Sequence, residues 1–258
     1  RLFSLLGDRG QSVWIGTFHS ICLRILRYEI MSLKSFNSDF SVYDRDDQLS
    51  VLKKVYQLLS LDKNVFPYQK SLSIISKFKS QQITPENFFE YNDETSQNIR
   101  FHEMYKAYNG YLKANNAMDF DDILLYTVIL FEKKSEILNK YQSQFQYIMI
   151  DEYQDTNFVQ FNIIHLLAKK HQNLCVVGDD DQSIYGWRGA NVQNILSFEK
   201  DYKNVKTIKL EQNYRSTSCI LNLANNIIKN NKTRHPKQLW TDIEGDDLPQ
   251  LISHDNEH

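Results

Sequence analysis

The chain has 258 residues, of which 41% are hydrophobic and 24% are charged, and its formal net charge at pH 7 is −2. This length and apolar fraction suit one large domain, or two smaller ones, with a real hydrophobic core. No apolar run approaches the roughly 18 residues of a membrane helix, which excludes a transmembrane protein. The three cysteines are scattered, so they exclude a disulfide scaffold and favour a reducing compartment, which we expect to be the cytoplasm.

The first half of the chain is predicted to be mostly helical. Residues 13–15 form a short apolar run that predicts a buried strand, and Thr17 can cap the helix that follows. Further helix starts are indicated by the Thr-Pro-Glu run at 84–86 and by Asp119. We therefore predict an all-α block through the middle of the chain.

A different pattern follows this block. Two short apolar runs, 147–150 and 174–177, flank a predicted helix that Thr156 opens. A strand, a helix and a strand in this order form a βαβ unit, so the two strands are predicted to be parallel and buried on both faces. A third apolar run, 205–210, predicts another strand. The predicted fold class is therefore α/β, an open parallel sheet with a large helical insertion.

Polar residues follow the predicted strands, at the edge where open parallel sheets bind their ligands. Asp151 and Glu152 come directly after the 147–150 run. This order is typical of an aspartate that holds Mg²⁺, which needs few protein carboxylates, followed by a glutamate that orients an attacking water. The alternative is that the two acidic residues only cap the next helix.

Longer motifs occur one after another along the chain. They are G-T-F-H-S from Gly16, D-F-D-D from Asp119, D-E-Y-Q-D-T-N from Asp151, G-D-D-D-Q-S-I-Y-G-W-R-G-A-N from Gly178 and Q-N-Y-R-S from Gln212. Together they closely resemble the UvrD/Rep/PcrA family of superfamily 1 DNA helicases, over about residues 15–216. The resemblance implies a RecA-like motor domain whose parallel sheet carries a helical accessory insertion.

The resemblance implies a site for ATP and Mg²⁺. Asp151 would hold Mg²⁺, and Glu152 would be the catalytic base for ATP hydrolysis. Gln182 would sense the γ-phosphate. Tyr214 would stack on adenine, and Arg215 would reach the γ-phosphate from a second motor domain. An arginine that arrives from another domain stabilises charge only when the cleft closes, which couples hydrolysis to motion.

The resemblance also implies a groove for single-stranded DNA, lined by Thr17, Phe18, His19, Tyr185, Trp187 and Arg188. Aromatic rings stack on bases without regard to sequence, at about 1 to 3 kcal/mol per base, which suits a motor that must release and regrip. Purely structural roles remain open for three residues: Trp187 in a core, His19 as a buried histidine and Tyr214 as packing at a helix start. The acidic motif at 119–122 is explained by its helix start, and we assign it no catalysis.

The phosphate-binding loop of such a motor, G-x-x-x-x-G-K-[ST], is not in this sequence, because none of the eight glycines is followed by lysine. We therefore expect an internal piece of a longer protein, either a trimmed chain or the product of a split gene, that hydrolyses no ATP by itself. Residues 1–19 and 144–208 would belong to an incomplete first RecA-like motor domain, 20–143 to the helical accessory insertion, and 209–258 to the start of the second motor domain.

Charge is unevenly distributed near the end of the chain. Residues 200–237 contain nine Lys or Arg and two acidic residues, whereas 241–258 contain six acidic residues and no Lys or Arg. A basic stretch of this kind can follow a phosphate backbone, or it can be an ordinary solvated surface. Net charge alone does not decide between these alternatives.

Three functions are compatible with these features. The leading prediction is part of an ATP-dependent 3′–5′ DNA helicase that acts on single-stranded DNA and on single-strand/duplex junctions, in repair or replication. The second is a non-catalytic module that binds DNA or a protein. The third is a nuclease that holds a metal through Asp151, Glu152 and Asp179, but cutting would not explain Gln182 or Trp187.

Overall fold

A computed structural model of the chain describes residues 4, 5, 7–245, 250, 252 and 253. Its α-helices, in chain order, are α1 (Phe18–Glu29), α2 (Arg45–Leu59), α3 (Tyr68–Ser80), α4 (Ser96–Ala114), α5 (Phe120–Lys133), α6 (Ser135–Gln144), α7 (Phe158–Ala168), α8 (Gln193–Leu196), α9 (Phe198–Asp201) and α10 (Ser218–Ile228). Its strands are β1 (Ser41–Tyr43), β2 (Ala117–Asp119), β3 (Ile148–Ile150) and β4 (Leu174–Val176). Shorter 3₁₀ helices span Gly7–Ser12, Ile30–Leu33, Phe88–Glu90, Tyr153–Asp155, Asp180–Gln182 and Gly186–Arg188. Across these described residues, no helix is both long enough and apolar enough to cross a membrane.

The helix starts predicted at Thr17 and Asp119 are confirmed. The Thr17 side chain accepts a hydrogen bond from the Ser20 amide (3.3 Å) at the start of α1. Asp119 precedes α5 and forms a reciprocal pair with Asp122, in which each side chain accepts from the other residue's backbone amide. Such caps satisfy amides that the first turn of a helix leaves unpaired.

Two hydrophobic cores organise the helices. The first joins α1, α5, α6 and α7 around buried residues such as Leu26, Val128 and Ile163. The second joins α2, α3 and α4 around residues such as Leu52 and Tyr105. Full burial of an aliphatic side chain of this size stabilises a fold by roughly 1.5 to 3 kcal/mol. The first core therefore ties helices of the expected insertion to α7 of the βαβ unit.

The strands form two short parallel sheets. In one, β1 pairs with β2; in the other, β3 pairs with β4, with Ile148 opposite Leu174. The β1–β2 pair corrects the prediction of an all-helical insertion. Each of its strands has three residues. Asp44, the cap of α2, directly follows β1, and Asp119, the cap of α5, is the last residue of β2. Three residues are too few for an alternating pattern to be visible in the sequence.

The predicted unit of β3, α7 and β4 is confirmed as parallel, but its sheet is covered on one face only. Ile148 packs against the first core. Met149, which points the other way, is 76% exposed, and its neighbour Cys175 on β4 is also exposed. The prediction of burial on both faces is therefore wrong, because α7 shields one face and the opposite side chains stay in contact with solvent.

Two predicted strands are wrong in the described part of the chain. Residues 13–15 are irregular, and Trp14 packs edge-on against Phe145 instead, with 5.1 Å between ring centroids. Residues 205–210 are irregular as well, and Leu210 is exposed. A strand needs a neighbour for its backbone hydrogen bonds, and none of the four described strands pairs with either run.

Two predicted helix starts are also corrected. Residues 84–86 enter a turn, because the Asn87 side chain accepts a hydrogen bond from the Thr84 amide (2.6 Å). At the second site, α7 begins after Asn157, whose side chain provides the cap. Thr156 is buried, and its hydroxyl donates back to a preceding carbonyl rather than into the helix.

Candidate functional site

Asp151 and Glu152 lie at the carboxyl end of β3, as predicted, and both are exposed. An Asp151 carboxylate oxygen accepts from the Glu152 amide (3.0 Å). Glu152 has a φ of 52°, in the left-handed region that non-glycine residues rarely adopt. Its side chain does not cap the 3₁₀ helix that follows, so helix capping does not explain the pair. Such backbones recur at functional sites, although six other described non-glycine residues of this chain also have a positive φ.

Gln154 connects Glu152 to the end of the neighbouring strand. The residue is 1% exposed. Its side-chain nitrogen donates to a Glu152 carboxylate oxygen (2.7 Å), and its side-chain oxygen accepts from the backbone N–H of Asp179 (3.0 Å). Because a carboxylate can only accept and an N–H can only donate, these partners fix the orientation of the amide. Gln154 therefore ties the turn after β3 to the turn after β4.

Asp179 is the centre of the turn after β4. One of its carboxylate oxygens accepts from the Asp181 amide (2.9 Å) and caps the 3₁₀ helix Asp180–Gln182. The other accepts from the side-chain amide of Gln182 (2.8 Å). Gln182, which is expected to sense a γ-phosphate, is exposed and is held by Asp179.

Three consecutive aspartates in this turn face basic residues from much later in the chain. Arg234 donates two hydrogen bonds to the Asp181 carboxylate (2.8 and 2.6 Å). Lys237 forms an ion pair with Asp179 and a second with Asp181 at 3.1 Å. We call this group the acid–base clasp; its members are Asp179, Asp180, Asp181, Arg234, His235 and Lys237.

The clasp is largely shielded from water, and low exposure strengthens its charge interactions. The side chains of Asp181 and Arg234 are 9% and 13% exposed. Burial by itself would raise the pKa of Asp181, but hydrogen bonds from Arg234 and Lys237 outweigh it and hold that pKa below its usual value. Burial would likewise lower the pKa of Lys237, yet its bonds to Asp179 and Asp181 raise it. Part of the basic stretch expected to follow phosphates is therefore paired with carboxylates.

Tyr214 and Arg215 lie in the loop before α10. The Tyr214 hydroxyl donates to the Gln212 side chain (2.7 Å), and the Arg215 amide donates to Asn213 (2.9 Å). Tyr214 is 78% exposed, so it is not a packing residue at the helix start. Among the described residues, neither is hydrogen-bonded to the acidic pair after β3.

Tyr185, Trp187 and Arg188 form an exposed aromatic group. The Arg188 guanidinium lies 4.5 Å from the centroid of the Trp187 ring and 5.3 Å from that of Tyr185. Trp187 is 75% exposed and lies in neither of the two hydrophobic cores described above. Exposed clusters of large apolar groups commonly mark interaction surfaces.

A second aromatic pair lies where α1 and α5 begin. The rings of His19 and Phe120 are 4.6 Å apart, and Phe120 is exposed. Burial lowers the pKa of His19, against a hydrogen bond with the Phe120 backbone that raises it. Phe18 packs against the first core, whereas Thr17 is an exposed cap. From the sequence alone we assigned no role to Phe120. The one feature that could have drawn attention to it is an aromatic residue between acidic residues at a helix start.

The acidic motif at 119–122 surrounds a buried cation. The ammonium of Lys79 is inaccessible to solvent and lies 2.7 Å from Asp119 and 2.8 Å from Asp122. Burial, and then repulsion from Asp119, raise the pKa of Asp122 to about 7 despite the attraction of Lys79. One ammonium is thus shared by two buried carboxylates, and it joins α3 to the start of α5.

The described ranges contain no group of three or more His, Cys, Asp or Glu side chains arranged to hold a metal ion. The Asp179 carboxylate is already bonded to Lys237 and Gln182, so the three carboxylates of the nuclease hypothesis do not form a ligand set. Asp151 does suit Mg²⁺, because its carboxylate is exposed at a strand end and Mg²⁺ keeps several waters and takes phosphate oxygens as its other ligands.

Comparisons with known proteins give a consistent result. The family model described as the UvrD/REP helicase N-terminal domain matches residues 1–203. The chain is 49% identical over 251 residues to the ATP-dependent DNA helicase PcrA of Staphylococcus epidermidis, which covers 97% of this chain and 34% of that relative. It is also 49% identical over 242 residues to the ATP-dependent DNA helicase PcrA of Staphylococcus aureus, which covers 93% of this chain and 33% of that relative. The chain thus spans about a third of the length of these curated relatives.

Proposed function

The chain belongs to the UvrD/REP helicase family, and from this membership we propose that it is part of an ATP-dependent DNA helicase that moves 3′ to 5′ on single-stranded DNA. The observation that carries the proposal is the meeting of two strand ends. Asp151 and Glu152 follow β3, and Gln182 follows β4, which pairs with β3 in parallel. Ligands of open parallel sheets bind at this edge.

At this edge, separate residues of the chain would have separate roles in ATP hydrolysis. Asp151 would hold Mg²⁺, and Glu152 would orient the attacking water and accept its proton. Mg²⁺ supplies positive charge that neutralises the phosphate oxygens. Gln182 would hydrogen-bond the γ-phosphate. Tyr214 and Arg215 would approach the nucleotide from the second motor domain as the cleft closes.

Single-stranded DNA would lie across the exposed aromatic residues. Trp187 would stack on one base, and the His19–Phe120 pair would offer a second stacking position. Arg188 would add a positive charge that high salt screens. The residues that we assign to this surface are Thr17, Phe18, His19, Phe120, Tyr185, Trp187 and Arg188.

The domain organisation proposed for the chain follows the same reasoning. Residues 1–19 and 144–208 would be parts of a first RecA-like motor domain, 20–143 an accessory insertion, and 209–258 the start of a second motor domain. The acid–base clasp would then connect the two motor domains. The protein would work in the cytoplasm, in DNA repair or replication, at single-strand/duplex junctions.

The proposal is tested on the full-length gene product by DNA-stimulated ATP hydrolysis and by unwinding of duplexes with a 3′ or a 5′ single-stranded tail. We expect turnover that Glu152→Gln lowers on the order of a hundred- to ten-thousandfold, to a small residual rate, and unwinding that requires the 3′ tail. Glu136→Gln, at an exposed glutamate in the first turn of α6, is the control and should leave both unchanged. A wild-type rate of turnover in Glu152→Gln would refute the proposal, and DNA binding without turnover in the wild type would favour a non-catalytic module.

A further inference from the structure

A continuous hydrogen-bonded path joins two side chains that are proposed to meet ATP. The Glu152 carboxylate accepts from Gln154 (2.7 Å), and the Gln154 oxygen accepts from the Asp179 backbone (3.0 Å). The Asp179 carboxylate accepts from Gln182 (2.8 Å). Gln154, in the middle of this path, has no role in the function proposed above, and Asp179 enters that function only as a member of the acid–base clasp.

Gln154 is a polar side chain that is almost fully buried. Burial of an amide is unfavourable unless both of its ends are hydrogen-bonded. Here both ends are bonded, and one of the two partners is the Glu152 carboxylate. Glu152 itself is exposed, so packing restricts its side chain little.

We infer that Gln154 is a positioning residue, which orients the carboxylate of Glu152 toward the attacking water and is itself held by the Asp179 amide. The inference rests on the proposed function, because it matters only if Glu152 is the catalytic base. A long exposed side chain adopts many rotamers, and a fixed donor restricts it to those that keep the hydrogen bond. Correct placement of a reacting group contributes strongly to rate, and a displacement of about 1 Å can lower it on the order of a hundredfold.

Two substitutions distinguish the effects of the two hydrogen bonds that the Gln154 side chain makes. Gln154→Glu keeps an acceptor for the Asp179 amide but replaces the donor to Glu152 with a second carboxylate. Gln154→Met keeps the length of the side chain and removes both bonds. In the full-length gene product we expect both to lower kcat for DNA-stimulated ATP hydrolysis on the order of ten- to a hundredfold, with KM for ATP and the affinity for oligothymidine unchanged. Circular dichroism and Tm verify that each variant is folded.

The control is Gln160→Met. The Gln160 side chain is partly buried, whereas Gln154 is fully buried, but it too accepts a hydrogen bond from a backbone amide, at the start of α7 (2.9 Å). This variant is expected to leave kcat unchanged. A further readout distinguishes positioning from a general structural effect. When Glu152 is already replaced by Gln, adding Gln154→Met should lower the residual rate by less than twofold, since a positioning residue acts through Glu152.

The outcomes identify which idea fails. If the wild-type protein hydrolyses ATP and the Gln154→Glu variant has the same kcat, the positioning role is overturned and the proposed function is not. Losses that multiply in the double variant, or a rise in KM without a change in kcat, would also overturn it. A wild-type protein that hydrolyses no ATP would overturn the proposed function and this inference with it.

Discussion

Gly178 lies directly against the side chain of Gln154. A β-carbon at residue 178 would come within 2.5 Å of the Gln154 side-chain oxygen and within 2.8 Å of a methyl carbon of Ile195. Both distances are shorter than real contacts allow, so both neighbours, or the backbone of residue 178, would have to move. Gly178 does not have a positive φ. Space, rather than backbone conformation, therefore requires glycine at the end of β4.

Gly178→Ala is therefore expected to lower the free energy of unfolding by about 1 to 3 kcal/mol, as overpacking does elsewhere. Urea unfolding followed by circular dichroism measures the change. Gly186→Ala is the matched control, because no atom lies within 4 Å of a β-carbon at that position, and its effect should stay within about 0.5 kcal/mol. Equal free energies of unfolding for the two variants would show that the turn after β4 accommodates a β-carbon at residue 178 without loss of stability.

The buried cluster of Lys79, Asp119 and Asp122 predicts a dependence of stability on pH. The pKa of Asp122 is raised to about 7 in the folded protein, whereas an aspartate in an unfolded chain titrates near 4. Between these values the folded protein binds the extra proton, so the stability that Asp122 contributes is fully present below about pH 4 and is lost as the pH rises through about 7. The wild-type Tm should therefore decrease by a few degrees more than that of Asp122→Asn between pH 5 and pH 7.5.

The control for this measurement is Asp47→Asn. Asp47 pairs with Asp44 at the start of α2 in the same reciprocal way as Asp122 pairs with Asp119, but it is exposed. Its variant should keep the wild-type dependence of Tm on pH. Burial, and then Asp119, also raise the pKa of Asp121 to about 6, and this contribution is present in all three proteins. Identical pH profiles for wild type and Asp122→Asn would contradict the prediction.

The sequence predicted the unit of β3, α7 and β4 because its signals are local. Two apolar runs, each closed by polar residues, flank a helix of suitable length, and this is enough to place Asp151, Glu152 and Gln182 at one edge. The run at 13–15 has the same composition, yet it is not a strand. An apolar composition indicates that a segment can adopt an extended conformation. Whether it forms a strand depends on a second segment that pairs with its backbone N–H and C=O groups.

The acid–base clasp could not be predicted from the sequence. Arg234 and Asp181 are 53 residues apart, and pairing of charges between distant segments leaves no periodic pattern. The same applies to Gln154, because a glutamine in a motif does not reveal that its amide bridges two turns. The basic stretch at 200–237 was therefore compatible with a phosphate-binding surface, although two of its cations are paired with carboxylates.

The clasp predicts a measurable coupling between Asp181 and Arg234. Both side chains are mostly buried and share two hydrogen bonds, so a double-mutant cycle with Asp181→Asn and Arg234→Gln should give a coupling of about 1 to 3 kcal/mol in urea unfolding. The exposed pair of Lys113 and Glu86, 4.0 Å apart, is the control and should give less than about 0.5 kcal/mol. Equal coupling in the two pairs would show that the clasp adds no stability.

The His19–Phe120 pair predicts a second contribution to DNA affinity. Phe120 is exposed at the start of α5 and its ring lies against that of His19, so Phe120→Ala removes a stacking surface without opening a core. We expect the affinity for oligothymidine to fall about threefold to tenfold. This is somewhat less than the loss expected when one fully stacked base loses its aromatic partner. Phe89→Ala, at an exposed phenylalanine that lies against His102, is the control. Equal affinities of wild type and Phe120→Ala would remove Phe120 from the DNA surface.

Trp187 is expected to make the largest single contribution to DNA binding by the 258-residue chain. Its indole is exposed, and the guanidinium of Arg188 lies over the ring. A base could therefore stack on the indole while a phosphate binds the guanidinium. Loss of one stacked base costs about 1 to 3 kcal/mol, so Trp187→Ala should weaken binding by about tenfold or more. The slope of affinity against salt should stay the same, because that slope reports phosphate contacts rather than stacking.

Fluorescence anisotropy of a labelled oligothymidine at two salt concentrations measures both quantities. Tyr91→Ala is the control, because Tyr91 is an exposed aromatic residue outside the surface assigned to DNA. Arg188→Gln should show the complementary result, a smaller salt slope, since it removes a charge and leaves the indole in place. If Trp187→Ala is folded and binds as tightly as wild type, the exposed indole is not a stacking platform and its exposure has another cause.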